Sequence, residues 1–257
     1  MAALPPADDG LLISIATYNE RENVSGLISA ILKFVPLAHV LIVDDASPDG
    51  TGQLADDLAA QDERIRVVHR SGKLGLGSAI LCGMRYAISK GYQRFVSMDA
   101  DLSHDPKYLP ALVALRDRYD VMIGSRYIPG GGVENWPWTR YLISRSVNVL
   151  TRVLLGIPAR DASGGFHCYR TALVGNIDVN HLWSKGYSFQ EEMLFRCIRA
   201  GARIGETPIV FADRRIGASK ANVREMARSL AVLLQLAVTA WFRPECLSAP
   251  QHSGSPS

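Results

Sequence analysis

The stretch Arg94-Phe-Val-Ser-Met-Asp-Ala-Asp101 decides the fold of this 257-residue chain, because an apolar strand pattern ends there in two carboxylates. Side chains alternate along a strand, so Asp99 and Asp101 lean toward the same face. Two like charges that close repel each other unless a cation lies between them, and carboxylate oxygens suit Mg2+ or Mn2+. Taken alone, the stretch leaves two interpretations open: a divalent-metal site at the edge of a sheet, or a polar turn after a strand.

Apolar segments of strand length alternate with helical patterns through the first half of the chain. The predicted strands cover residues 11–15, 39–43, 65–69, 94–98 and 121–124. The predicted helices between them cover residues 21–34, 54–60 and 78–90. This alternation predicts an α/β fold with a mainly parallel, Rossmann-like sheet flanked by helices. In such sheets ligands bind beyond the carboxyl ends of the strands, and the acidic residues fall at those ends.

Two common nucleotide-binding classes are disfavoured by the residues that come directly after the strands. Residues 16–20 read Ala-Thr-Tyr-Asn-Glu after the first strand, where a dinucleotide-binding fold needs G-x-G-x-x-G. No G-x-x-x-x-G-K-[ST] phosphate loop is present either. The net charge of +3 is too small to favour a nucleic-acid partner.

Composition predicts one globular domain with short ends. With 47% apolar residues the chain can bury a sizeable core. We expect a short extension over residues 1–10, a single domain with C-terminal amphipathic helices over 11–243, and a disordered tail over 244–257. The start of the chain lacks a signal-peptide pattern, and no run of 18 apolar residues is present. The four cysteines form no CxxC pair, which favours a reducing cytosolic compartment.

The second half contains a basic amphipathic helix, predicted over residues 139–155. Its apolar side carries Leu142, Val149, Leu150, Val153 and Leu154, and its arginines are Arg140, Arg145 and Arg152. Such a helix either lies on an anionic membrane surface or packs against the protein's own core. A second amphipathic helix, predicted over residues 230–242, leaves the same two alternatives open.

Four motifs occur in order along the chain and together resemble one family. They are Thr17-Tyr-Asn-Glu-Arg-Glu-Asn23, Val43-Asp-Asp-Ala-Ser-Pro-Asp-Gly-Thr51, Lys73-Leu-Gly-Leu-Gly-Ser-Ala79 and Met98-Asp-Ala-Asp-Leu-Ser-His104. This series resembles the family 2 inverting glycosyltransferases of GT-A fold. The segments 124–127, 130–136, 142–145, 160–161 and 211–220 narrow the resemblance to the dolichyl-phosphate (polyprenol-phosphate) mannosyltransferases. The resemblance implies transfer of mannose from GDP-mannose to a polyprenyl phosphate, with inversion at the sugar.

The resemblance also implies a set of site residues. The implied metal ligands, for Mg2+ or Mn2+, are Asp99, Asp101 and Ser103. The implied donor-binding residues are Ala16, Tyr18, Glu20, Val43, Asp45, Asp99, Ala100, Asp101, Arg126, Arg214 and Lys220. The implied acceptor-phosphate residues are Arg126, Arg140 and Ser144, and the implied catalytic residues are Asp101, Arg126, Arg140 and Asp161. Asp161 would be an orienting or base-like residue. Ala16 stands where the family usually has proline, and Asp44-Asp45 has a second interpretation as a capping and turn sequence.

The same resemblance implies the expected partners. A protein of this length would associate with the cytoplasmic face of a membrane peripherally, or through a small membrane-anchoring partner. Two alternatives remain: a UDP-glucose or other UDP-hexose transferase acting on the same lipid, and a non-catalytic scaffold subunit that binds a nucleotide sugar. The complete set of Asp99, Asp101, Arg126, Arg140 and Arg214 weighs against the scaffold.

Overall fold

The computed structural model describes residues 10–179, 182–184, 188–212 and 231–239. Its strands are β1 (Leu11–Thr17), β2 (His39–Asp44), β3 (Ile65–His69), β4 (Arg94–Asp99), β5 (Val121–Ser125), β6 (Gly132–Glu134), β7 (His167–Arg170), β8 (Ile204–Pro208) and β9 (Val210–Ala212). Its helices are α1 (Arg21–Phe34), α2 (Thr51–Gln61), α3 (Leu76–Ser89), α4 (Leu109–Ala114), α5 (Trp138–Leu155), α6 (Thr171–Gly175) and α7 (Phe189–Arg199). A short 3-10 helix spans Pro106–Tyr108, and residues 231–239 form a further helix, α8.

Seven of these strands form one sheet in the order β3-β2-β1-β4-β7-β5-β8. Every neighbouring pair is parallel except for the two pairs of β7, which runs antiparallel to β4 and β5. The prediction of a mainly parallel α/β sheet flanked by helices is therefore confirmed. A second, two-stranded sheet pairs β6 with β9 in parallel.

The core lies on both faces of the sheet, because the central strand β1 is buried along its length. Leu12 packs on one face together with α3, whereas Ile13 and its neighbours pack on the other face against α1. Helix α1 presents Val24, Leu27 and Ile31 to that face, at the spacing of one helical stripe. Each such buried aliphatic side chain contributes about 1.5–3 kcal/mol relative to an exposed one.

Helix α3 approaches β1 closely enough to require a glycine. A Cβ atom added at Gly83 would lie 2.5 Å from Ser14 Oγ and 3.0 Å from the Phe95 ring. The missing side chain thus sets the distance between this helix and the centre of the sheet. That packing keeps the carboxyl ends of β1 and β4 in a defined relation.

Helix α8 docks on the core through Leu233, Leu236 and Ala237. This favours the core-packing interpretation for the described part of the predicted 230–242 helix. In the part of the chain that the structure describes, no helix is long and apolar enough to cross a membrane. The predicted tail and all of the predicted N-terminal extension except Gly10 lie outside the described residues.

Candidate active site at the carboxyl edge of the sheet

The ends of β1, β2 and β4 bring three of the predicted donor residues side by side. Ala16 is the register partner of Val43 on one side and of Asp99 on the other. Ala100 comes directly after Asp99 and is buried. Parallel strands align their carboxyl ends at one edge of a sheet, which is why residues more than 80 positions apart in sequence meet here.

The loops at this edge have strained backbones. Asn19, Ala46 and Leu102 have φ angles of +61°, +53° and +63°, and they lie in the loops after β1, β2 and β4. The fourth described non-glycine residue with positive φ is Asn135, at +61°, just after β6. Such angles are costly for residues with a side chain and concentrate at functional sites. Asn19, Ala46 and Leu102 are each adjacent in sequence to a predicted site residue, and Asn135 directly precedes Trp136.

Tyr18 and Glu20 lie in the loop between β1 and α1. Lys73 places its Nζ atom 4.0 Å from the centroid of the Tyr18 ring, so the loop after β3 reaches across to the loop after β1. The carboxylate of Glu20 accepts a hydrogen bond from Asn23 Nδ2 at 2.8 Å. The structure thus places both residues at the carboxyl edge, next to the Lys73 loop.

Asp44 and Asp45 have different surroundings although they are adjacent. Asp44 accepts hydrogen bonds from the Thr17 hydroxyl at 2.9 Å and from the Ser47 backbone N–H at 3.0 Å, which is the turn-forming role. Asp45 Oδ2 accepts from the backbone N–H of Leu74 at 3.0 Å, and its Oδ1 lies 3.0 Å from Arg70 Nε. Asp45 therefore anchors the Lys73 loop beside the predicted donor position.

Asp99, Asp101 and Ser103 offer a set of hard oxygen ligands. Asp101 Oδ1 accepts hydrogen bonds from the Ser103 hydroxyl at 2.5 Å and from its backbone N–H at 3.1 Å, which turns this loop back on itself. No cluster of three His, Cys, Asp or Glu side chains that could hold a metal occurs among the described residues. Mg2+ is typically held by one or two carboxylates together with substrate phosphates, so two aspartates and a hydroxyl fit such an ion when a diphosphate is bound.

His104 supports Asp99 from inside the protein. Its Nδ1 accepts a hydrogen bond from the Asp99 backbone N–H at 3.0 Å, so the ring proton is on Nε2. Burial lowers the pKa of His104 against the raising effect of the Asp99 and Asp101 carboxylates, which keeps the ring neutral. The ring stacks on Phe166 at 5.1 Å and meets Phe211 edge-on at 5.4 Å. Sequence reasoning assigned His104 no role, although it lies inside the Met98–His104 motif.

Arg126 and Asp161 form a buried, bidentate ion pair. Asp161 Oδ2 accepts from the Arg126 backbone N–H at 2.9 Å and from Nε at 2.7 Å, and Oδ1 accepts from Nη2 at 2.7 Å. Burial alone would lower the pKa of Arg126, but the Asp161 carboxylate outweighs it and raises that pKa. Ser163 accepts a further hydrogen bond from Nη2 at 3.0 Å. Asp161 is fully buried, and both of its oxygens face Arg126, which is the geometry of an orienting group.

Trp136 stands between the two arginines of the predicted acceptor site. The Arg140 guanidinium lies 4.0 Å from the centroid of the Trp136 ring, and that of Arg126 lies 5.5 Å from it. The indole Nε1 is buried and has no hydrogen-bond partner among the described residues. Ser144 accepts a hydrogen bond from the Tyr127 hydroxyl at 2.7 Å, which ties α5 to the loop after β5. Arg126, Arg140 and Ser144 are thus joined through two aromatic side chains that sequence reasoning did not single out.

Glu191 is a buried residue with a carboxyl side chain that was not among the site residues predicted from the sequence. Burial raises its pKa from 4.5 to about 8, and the charges of Asp161 and Arg126 act on it. Its Oε2 has no hydrogen-bond partner in the part of the chain that the structure describes. The neighbouring Glu192 is structural by contrast, because it pairs with Arg196 at 2.8 Å. Arg214 and Lys220, the predicted donor-closing residues, lie outside the described residues.

A mostly parallel sheet flanked by helices, with acidic strand ends gathered at one edge, matches the GT-A fold of glycosyltransferases. The chain belongs to glycosyl transferase family 2, whose family model matches residues 12–177. The match ends just after α6 and includes both predicted aspartate ligands and the Arg126–Asp161 pair.

Two similar proteins share most of their length with this chain. It is 45% identical over 219 residues to the polyprenol monophosphomannose synthase of Mycolicibacterium smegmatis, covering 83% of each chain. It is 44% identical over 210 residues to the undecaprenyl-phosphate mannosyltransferase of Micrococcus luteus, covering 82% of this chain and 86% of that one.

Solved structures show the same fold at low sequence identity. Glucosyl-3-phosphoglycerate synthase of Mycobacterium tuberculosis, solved with Mn2+, UDP-glucose and phosphoglyceric acid, is 17% identical with a TM-score of 0.63. That match covers 89% of this chain and 79% of the other. A further mycobacterial protein is 19% identical with a TM-score of 0.64, covering 89% and 74%.

Proposed function

We propose that this chain transfers mannose from GDP-mannose to a polyprenyl phosphate with inversion at the anomeric carbon. An oxygen of the acceptor phosphate attacks that carbon, and the bond to GDP breaks on the opposite side. The observation that carries the proposal is a pair of arginines, Arg126 bound by Asp161 and Arg140 stacked on Trp136. Arg126 follows β5, which is separated from β4 and its Asp99 by the single strand β7. Support also comes from the names of the two relatives, a polyprenol monophosphomannose synthase and an undecaprenyl-phosphate mannosyltransferase.

The arginines match what this acceptor needs. A phosphate monoester is largely ionised at neutral pH, so its oxygen is already nucleophilic and a strong base is unnecessary. The larger cost is the repulsion between two anionic substrates, and guanidinium forks offset it while orienting the phosphate. We propose that Arg126, Arg140 and Ser144 hold the acceptor phosphate. Asp161 then orients Arg126 and takes no proton.

The donor would lie along the carboxyl ends of β1, β2 and β4. We propose contacts with Ala16, Tyr18, Glu20, Val43, Asp45 and Ala100, and closure by Arg214 and Lys220. Asp99, Asp101 and Ser103 would hold a divalent cation, Mg2+ or Mn2+. When bound there, the cation stabilises the negative charge that develops on the leaving diphosphate.

We further propose that the protein associates peripherally with the cytoplasmic face of a membrane through α5. The side of α5 that carries Leu142 and Val153 is exposed, with 49% and 72% of these side chains accessible. The residues that α5 buries include Asn148 and Thr151, which are polar. Apart from Leu155, which is buried at the end of the helix, α5 buries polar side chains, and most of its apolar side chains are exposed. That arrangement is the reverse of a helix packed on its own core and typical of one that contacts lipid.

One assay tests the transfer. The purified protein is incubated with a polyprenyl phosphate in detergent, with Mn2+ or Mg2+, and with labelled GDP-mannose or UDP-glucose in parallel. We expect lipid-extractable label from GDP-mannose only. Label from UDP-glucose alone would establish the hexose alternative, and donor binding without any label would establish the scaffold alternative.

The metal requirement needs a matched pair of variants. Asp101→Asn removes a proposed ligand, whereas Asp117→Asn makes the same chemical change at a side chain that is 98% exposed. We expect Asp101→Asn to lose Mn2+ binding measured by electron paramagnetic resonance with GDP present, and to lose turnover. Asp117→Asn should retain both. Equal Mn2+ binding by the two variants would contradict the assignment of the ligands.

A further inference from the structure

A pocket on the outer flank of α5 is lined almost entirely by groups that bind anions. It has a volume of ≈ 300 Å³, and its walls are Tyr127, Arg145, Asn148, Val149, Arg152 and Arg160. Three of these six residues are arginines, and none of the three has an ion-pair partner among the described residues. Three guanidinium groups gathered around one space repel each other unless an anion joins them.

The walls of the pocket are held by the rest of the fold. Asn148 is buried and donates hydrogen bonds to the Ser144 carbonyl and the Ser163 hydroxyl, both at 2.9 Å. The loop that carries Arg160 is fixed because its backbone N–H donates to Glu206 Oε2 at 2.9 Å. The arginines therefore extend from two anchored segments, α5 and the loop after it, toward a common space.

This pocket adjoins the proposed acceptor-phosphate site, because its wall residue Tyr127 donates a hydrogen bond to Ser144, but its arginines are different ones. Arg145 and Arg152 are 5 and 12 residues after Arg140, and at about 100° per residue both point roughly 120–140° away from it around the helix axis. Arg140 faces Trp136 and the active site, whereas Arg145 and Arg152 face the opposite flank. Between the two flanks runs the exposed apolar side that includes Leu142 and Val153.

We propose that this arginine pocket binds the phosphate of an anionic lipid headgroup, which would seat α5 on the membrane beside the acceptor. The inference rests on the peripheral membrane association proposed above. An exposed apolar side places α5 at the level of the acyl chains, and long arginine side chains next to it then reach phosphates at the interface. Charge complementarity selects an anionic lipid surface, because the described residues that line the pocket contribute three positive charges and no carboxylate.

Vesicle binding by the full chain tests the inference. The variant Arg152→Gln/Arg160→Gln is compared with wild type on phosphatidylcholine vesicles with and without phosphatidylglycerol. The matched control, Arg118→Gln/Arg199→Gln, makes the same charge change at exposed arginines near the amino ends of β5 and β8, at the far edge of the sheet. With roughly 1 kcal/mol for each basic residue at an anionic surface, we expect the pocket variant to lose about tenfold or more in partitioning to phosphatidylglycerol vesicles. The control should change by less than about twofold, and Arg152→Lys/Arg160→Lys should recover most of the binding.

The remaining outcomes separate the possible sources of the phosphate. Inorganic phosphate at millimolar concentration should not release the wild type from vesicles, and the pocket variant should keep the wild-type KM for acceptor in detergent. Equal losses by the pocket and control variants would overturn the inference, and so would a raised acceptor KM, which would make the pocket part of the acceptor site. A wild type that transfers mannose in detergent but binds no vesicles would also overturn it while leaving the proposed activity intact.

Discussion

Removal of the Asp161 carboxylate should destabilise the protein far more than removal of a similar carboxylate at the surface. The chain contains a matched pair for this comparison. Asp62 accepts hydrogen bonds from the Arg64 backbone N–H at 2.9 Å, from Nε at 2.9 Å and from Nη2 at 2.6 Å, the same three donors that Asp161 receives from Arg126. The side chains of Asp62 and Arg64 are 26% and 37% exposed, whereas those of Asp161 and Arg126 are 0% and 7% exposed.

The difference in burial sets the magnitude. Asp161→Ala leaves the Arg126 charge buried without its partner, which costs about 3–5 kcal/mol of the free energy of unfolding. Asp62→Ala leaves Arg64 to water, and a surface pair of this kind contributes about 0–1 kcal/mol. At this chain length about 2–4 °C of Tm corresponds to each kcal/mol, so we expect a loss of about 6–20 °C for Asp161→Ala and less than about 4 °C for Asp62→Ala.

Urea and thermal unfolding followed by circular dichroism measure these losses, and steady-state kinetics add a second readout. Asp161→Asn retains the shape of the side chain, so it should fold, but it holds Arg126 less firmly. We expect its KM for polyprenyl phosphate to rise by more than its KM for GDP-mannose. Equal destabilisation by Asp161→Ala and Asp62→Ala would refute the reasoning from burial. A loss of kcat in Asp161→Asn with unchanged KM for the acceptor would refute the orienting role.

Three further predictions concern supporting residues. His104→Phe keeps the ring stack but leaves the Asp99 N–H without an acceptor, so we expect it to weaken Mn2+ binding in the presence of GDP by about tenfold. His104→Asn restores an acceptor and should recover part of that binding. Equal Mn2+ binding by both variants would show that the hydrogen bond is unimportant. Gly83→Ala should lower the free energy of unfolding in urea by about 1–3 kcal/mol, because the added Cβ would contact β1. Gly26→Ala, which has open space around it in α1, should raise that free energy by about 0.5–1 kcal/mol. A more stable Gly83→Ala than Gly26→Ala would be inconsistent with the α3 packing. The pKa of Glu191 is raised from 4.5 to about 8, so between these values the folded state keeps a proton that the unfolded chain releases. The stability of the protein should therefore fall as pH rises through that interval. Glu191→Gln should flatten the pH dependence of Tm there, and an unchanged slope would exclude Glu191 as its source.

Much of the first half of the fold could be predicted from local pattern. The prediction of a helix over residues 21–34 and a strand over residues 65–69 agrees with α1 and β3 to the residue. These segments have clear periodicity, and the connections between them are short. The second half resisted prediction because β7 is a four-residue antiparallel strand inserted between β4 and β5, whose pairing no local pattern records. The three-residue strands β6 and β9 are defined by the hydrogen bonds of their mutual parallel pairing, which no local pattern predicts.

Some residues of the candidate site could be predicted from the sequence, whereas the contacts that support them could not. Ala16, Val43 and Asp99 can be identified from their positions at strand ends and from family motifs, and the sheet register places them side by side. The roles of His104 and Trp136 depend on what their rings contact, and those contacts join segments that are far apart in sequence. The membership of the site is therefore predictable in part from the sequence, whereas its supporting contacts are not.

By itself, the sequence determined the alternation of strands and helices, the acidic strand ends and the family. Each of these follows from the spacing or the order of residues that are near each other in the chain. Only the tertiary structure decided which charges are buried and which face of a helix meets the core. Asp161 and Asp62 each accept hydrogen bonds from the backbone N–H, Nε and Nη2 of an arginine, but only the Asp161–Arg126 pair is buried away from water. The apolar spacing in α5 likewise predicts a helix with two faces, and the fold leaves Leu142, Val149 and Val153 exposed while it buries Leu155. The physical reason is that burial is a property of contacts between distant segments, whereas periodicity is a property of neighbours along the chain.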